Sequence, residues 1–94
     1  MSENLLPGLS RETVTAAIGT HLWVQQLYAS GEARRVRVAC GLSIPPLADI
    51  AGVHPATMGR WETGERRPSR ANALRIAPAL REMVKVAPER GAIG

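Results

Sequence analysis

The sequence predicts an all-α fold, a compact bundle of about five helices that includes an extra helix at the N-terminus. Three observations carry this. Apolar residues recur at three- and four-residue spacing, no stretch alternates as a strand would, and Gly or Pro stands at each break between periodic stretches. Ninety-four residues make one domain. A chain of this size buries about 60–65% of its unfolded surface, enough for one modest core. A 45% hydrophobic, 21% charged composition is that of a globular protein and not a disordered one.

Residues 1–9 hold Pro7 and Gly8 without periodicity and are expected to form a flexible arm. Ser10 fits a helix N-cap, followed by apolar residues at Val14, Ala17, Ile18 and Leu22. Trp23, Val24 and Leu27 lie off that stripe, so the helix is apolar around more than half its girth. Such a helix is usually covered on two sides, which assigns 10–30 to packing or dimerisation. Ser30-Gly31 interrupts. A second helix is expected over 32–40, with Arg34, Arg35 and Arg37 around Val36, Val38 and Ala39, and with Gly41 ending it.

Ser43 is the next candidate cap. Pro45 is pushed toward extended geometry by Pro46, so the third helix is expected to begin near Pro46 and run to Ala51. After Gly52-Val53-His54, Pro55 opens a fourth helix that Thr63-Gly64 closes. Glu65-Arg66-Arg67-Pro68 reads as a basic turn. Ser69 caps a last helix through Leu74, Ile76, Leu80 and Met83, which Pro78 should kink or shorten. The expected organisation is therefore a domain over 31–86 and a flexible tail over 87–94.

Charge narrows the function. Lys plus Arg is 12 against 8 acids, and eleven of the twelve cations are Arg. Residues 31–94 carry eleven bases and six acids, whereas 1–30 is net −1. A basic half on a small chain points to an anionic partner, nucleic acid foremost; the alternative is a solvated basic face. One cysteine, Cys40, excludes an internal disulfide, and two distant histidines leave no zinc set, so no metal and no cofactor are expected. Without a signal peptide pattern or a long apolar run, a cytoplasmic protein that makes no membrane contact is expected. There is no nucleophile–base set, no paired carboxylates and no phosphate-binding glycine loop, so an enzyme is not expected.

Two short helices joined by a three-residue turn containing Gly form a helix-turn-helix. Ala48 falls where the helices cross, and Gly52, four residues on, supplies the positive φ that the turn requires. Leu47, Ala51, Val53, Met58 and Trp61 fall on the inner sides. The stretch Leu47-Ala48-Asp49-Ile50-Ala51-Gly52-Val53, with Gly41-Leu42-Ser43 before it and Trp61-Glu62-x-Gly64-x-Arg66-x-Pro68 after it, resembles the xenobiotic-response-element type of helix-turn-helix, which includes phage Cro and lambda-type repressors. Leu74-Arg75-Ile76-Ala77-Pro78-Ala79-Leu80 resembles that family's fifth helix. The resemblance covers 33–80, about half of the chain.

It implies a phage or bacterial DNA-binding regulator, repressor-like or Cro-like, that works as a homodimer on a double-stranded operator. The helix over 55–62 would enter the major groove and present Pro55, Ala56, Gly59 and Arg60 to bases. Of these only Arg60 can make a bidentate contact to guanine, worth about 1–3 kcal/mol of discrimination. Gly59 is either an interior helix defect or a site of close approach to the groove, and its outward position favours the latter. Thr57, Thr63, Arg66, Arg67, Arg34, Arg35 and His54 are candidates for phosphate, which positions without reading sequence. His54 is alternatively a helix cap. The resemblance further implies a structural bridge between Arg37 and Glu62.

One departure stands out. Relatives begin the second helix of the motif with a polar, often Gln-containing segment that holds a phosphate. This chain has Ile44-Pro45-Pro46, which removes that side chain and two amide donors and leaves Arg34 and Arg35 as replacements. A dimer would set its recognition helices about 34–36 Å apart. Two stripes are candidates for the seam: Ala73, Ile76, Leu80, Met83 and Ala87, or the N-terminal helix. No small-molecule ligand is expected, since the chain leaves no room for a separate ligand domain. The alternative reading is a protein-interaction or antitoxin-type module on the same fold.

Overall fold

A computed structural model describes residues 10–88. Five helices follow one another: α1 (Arg11–Ala29), α2 (Glu32–Ala39), α3 (Ile44–Ala51), α4 (Pro55–Thr63) and α5 (Arg70–Val86). No strand occurs among the described residues. The expected arm over 1–9 and most of the expected tail lie outside them.

Local chemistry sets each boundary. The hydroxyls of Ser10 and Ser69 accept from the amides of Thr13 and Asn72, satisfying a donor that has no partner inside the helix. Gly31, Gly41, Gly52 and Gly64 hold positive φ at the four breaks, a conformation that costs an L side chain about 1–2 kcal/mol. Two expectations at prolines are corrected. α3 begins at Ile44, ahead of Pro46, because its first-turn amides have no intrahelical acceptor and both prolines therefore sit there without losing a bond. α5 is not shortened at Pro78 but continues to Val86 with Pro78 on its exposed side. There the missing amide bond costs about 3 kcal/mol, and the buried Ile76, Ala77, Leu80 and Met83 on either side hold the helix through it.

α5 is the spine. It packs against α1, α2 and α3, while α3 packs on α4, and α1 also reaches α2 and α4. The centre is filled by Trp61 and Met58 of α4, Val24 and Tyr28 of α1, Val36 of α2 and Leu47 of α3, all buried. The Tyr28 and Trp61 rings meet edge to face at 5.5 Å and 72°, a geometry favoured by the ring quadrupoles. Ala48 is fully buried, and the Val53 amide donates to its carbonyl at 3.0 Å, closing the turn between α3 and α4.

The α5 stripe offered as a dimer seam is not one. Ala73, Ile76, Leu80 and Met83 are buried and Ala87 is half-buried, because the three neighbouring helices use that face for the core. α1 turns Val24 and Tyr28 inward with Trp23 and Leu27 partly covered, and leaves Ile18 and Leu22 at 43% and 58% exposure.

Candidate nucleic-acid interface

α4 is amphipathic in the sense its sequence allows. Met58 and Trp61 anchor it to the core, and Pro55, Ala56, Arg60 and Thr63 stand exposed on the outside. The His54 ring caps it, with Nδ1 accepting from the Ala56 amide at 3.0 Å. A ring held this way keeps its edge at the helix N-terminus, where backbone donors and the helix dipole favour an anion. Gly59 lies between Ala56 and Arg60 on the helix, without positive φ, and a Cβ added there would meet nothing within 4 Å. No intramolecular contact therefore requires the glycine.

The turn after α4 is fixed at both ends. The Arg66 amide donates to the Arg60 carbonyl at 3.1 Å, folding the chain back on the helix end. Pro68 is buried, and its carbonyl accepts from Gln25 Nε2 of α1 at 3.2 Å. Between these anchors Arg66 and Arg67 are exposed. Thr57, Arg60, Arg66 and Arg67 line one shallow cleft together with Ser69 and Asn72 at the start of α5. Sequence reasoning missed the last two as cleft residues, although reading Ser69 as a cap already placed Asn72 one turn from the basic turn. Gln25 was missed as well. Its partner is 43 residues away, and nothing local marks such a pairing.

Arg37 and Glu62 join α2 to α4 by two hydrogen bonds of 2.7 and 2.8 Å, a fork-to-carboxylate geometry. Their side chains are 12% and 6% exposed. Arg37 also donates to the Leu42 carbonyl at 2.8 Å. The bond to Glu62, followed by the attraction of its charge, raises the Arg37 pKa above its ordinary value against the opposing effect of burial. Burial, followed by the same carboxylate, raises the Tyr28 phenol above its ordinary value. The pair ties α2 to α4 two residues along the helix from Arg60.

The remaining candidates divide. Arg34 is 65% exposed, with Nε 4.0 Å from Glu62, on the same side as the bridge. Arg35 forms a double contact to Glu32 at 2.6 and 2.9 Å and donates to the Pro88 carbonyl at 2.9 Å, which turns it toward the far end of α5. Thr63 donates its hydroxyl to the Arg60 carbonyl at 3.2 Å. Among the described residues no group of three or more His, Cys, Asp or Glu is arranged to hold a metal ion, and no helix is long and apolar enough to cross a membrane.

A family model described as a helix-turn-helix domain matches residues 30–83, more than half of the chain. No curated protein and no solved structure matches. The matched span runs from the start of α2 into α5 and contains α3, the Gly52 turn and α4 in their entirety, and a domain of this kind suggests a DNA-binding regulator in general. By its sequence and by its helix arrangement, the chain belongs to the helix-turn-helix domain family.

Proposed function

We propose that this protein is a sequence-specific regulator that binds double-stranded DNA, inserts α4 into the major groove and acts as a homodimer in the manner of Cro-like repressors. The observation that carries the reading is the split of α4. Its inner side is locked by Trp61 and Met58, and its outer side is an exposed face with Arg60 beside Arg66 and Arg67 in one cleft. Arg60 reads guanine through O6 and N7, and Ala56 meets a thymine methyl. Pro55 and Gly59 add no hydrogen-bonding group and admit the helix close to the bases. Arg66, Arg67, Arg34, Thr57 and the His54 end of α4 hold phosphates on either side and fix register. Arg35 and Thr63 join them only by exchanging the partners they have within the chain.

Selection of bound duplexes from a random pool at fixed salt tests this. The expected result is an enriched motif containing guanine, lost in Arg60→Ala. A steep salt dependence with no enriched motif would overturn sequence recognition and leave backbone binding alone. A second reading, a protein-interaction or antitoxin-type module, is favoured by the exposed Ile18 and Leu22 of α1. Under that reading Arg60→Ala leaves partner binding intact.

A further inference from the structure

α1 carries an outer face that no other described helix covers. No Asp, Glu, Lys or Arg stands between Glu12 and Glu32, in a protein that is 21% charged. Glu12, Thr15, Gly19, Leu22, Gln26 and Ala29 follow one another at alternating three- and four-residue steps, the spacing of a coiled-coil seam. All six are exposed, on the side of the helix opposite Val24 and Tyr28. Exposed helix faces of a monomer are ordinarily charged.

We propose that two copies of the chain associate through this face, with the two α1 helices antiparallel about a two-fold axis and Leu22 of each seated over Gly19 of the other. The order of residues along the seam is self-complementary in that arrangement. Centred between Gly19 and Leu22, an antiparallel pair brings the one large apolar residue of the seam to a position where nothing lies within 4 Å of an added Cβ. The next step outward faces the Thr15 hydroxyl with the Gln26 amide. At the ends Glu12 meets Ala29, whose groove Arg67 also lines with Leu22 and Gln26. Opposite charges, Glu12 of one copy and Arg67 of the other, therefore meet at both rims. Two molecules of net charge +4 repel, and the stretch of α1 between Glu12 and Glu32, which carries no Asp, Glu, Lys or Arg, is where they can close. The rival stripe on α5 is already buried.

The inference rests on the dimer of the proposed function and gives it a surface, and it is tested without DNA so that its failure is distinct from a failure of DNA recognition. Sedimentation of the full chain across a concentration series is expected to show a monomer–dimer equilibrium. Leu22→Glu and Gly19→Leu should each weaken it at least about tenfold (~1.4 kcal/mol). Circular dichroism and thermal midpoint check that folding is kept, as the exposure of both sites requires. Val86→Glu, at a site 69% exposed on α5, should leave the dimer intact. With Cys40→Ser as background, a mixture of Thr15→Cys and Gln26→Cys chains should cross-link to each other in preference to themselves. A monomer at every concentration, as a face reserved for a different protein would give, overturns the proposal. So does a dimer that Leu22→Glu leaves as tight as before, or preferential cross-linking of Thr15→Cys to itself.

Discussion

Gly59→Ala separates what α4 needs for folding from what it needs for binding. Glycine in a helix interior is less favourable than alanine by about 0.8–1.0 kcal/mol. At this position the alanine methyl enters open space, since no atom beyond the adjoining residues and helix backbone lies within 4 Å of where it would stand, and the glycine φ is not positive. The substitution should therefore recover nearly the full propensity difference, raising the thermal midpoint by about 4–8 °C for a domain of this size. On DNA the same methyl is a spacer between helix and base edges. A radial gap of about 0.5–1 Å already forfeits a quarter to a half of a dispersion contact, and the Arg60 fork moves with the backbone. Affinity for the selected duplex should fall at least about tenfold, or ~1.4 kcal/mol. Urea unfolding followed by tryptophan fluorescence gives the stability, and anisotropy of a labelled duplex at fixed salt gives the affinity. An unchanged affinity beside the gain in stability would refute the close approach of α4 to the bases. A loss of stability would refute the open space around Gly59.

Arg66→Ala and Arg67→Ala should each lower the slope of log affinity against log salt by about 1 while leaving the preferred motif unchanged, measured by titrations at several salt concentrations. Glu62→Gln should destabilise by no more than about 3 kcal/mol in urea unfolding, below the range for a fully buried pair because Arg37 keeps the Leu42 carbonyl and some contact with water. Pairing Glu62→Gln with Arg37→Met should recover part of that loss, and a purely additive double mutant would deny the coupling. Tyr28 keeps its phenol proton in the fold above the unfolded value of about 10. Stability is therefore complete below pH of about 10 and falls as the pH rises beyond it, by up to about 1.4 kcal/mol per pH unit, because only the unfolded chain has released the proton. Tyr28→Phe should flatten that decline, and because Tyr28 is the sole tyrosine its ultraviolet titration reports the ionisation directly.

Much of the architecture is legible in the chain because its signals are local. A serine before a periodic stretch, a glycine after it and a proline in the first turn are decided by the backbone groups within four residues. These signals mark the helix-turn-helix and all five helices, and they place Arg60 on the outside of α4 and Met58 and Trp61 on the inside. The expected start of α3 is misplaced by two residues, and α5 runs eight residues past the proline expected to kink or shorten it. Proline is free of its cost to a helix only in the first turn, where its amide has no helical partner; at Pro78 it is core packing that carries the helix through.

Which apolar stripe meets which neighbour is another matter. Ala73, Ile76, Leu80 and Met83 have the same spacing whether they line a core or a dimer seam, and only the packing of α1, α2 and α3 on α5 decides for the core. By the same decision the outer face of α1 is left uncovered by the other described residues. Gln25 and the Pro68 carbonyl, Tyr28 and Trp61, and the cleft where Asn72 joins Arg60 depend on groups distant in sequence, whose meeting is fixed by the filling of one shared interior. Composition and spacing determined that the chain forms an Arg-rich helical domain with a helix-turn-helix. The tertiary structure decided which faces remain free to use, because close packing admits one arrangement of stripes and leaves the others to solvent or to a partner.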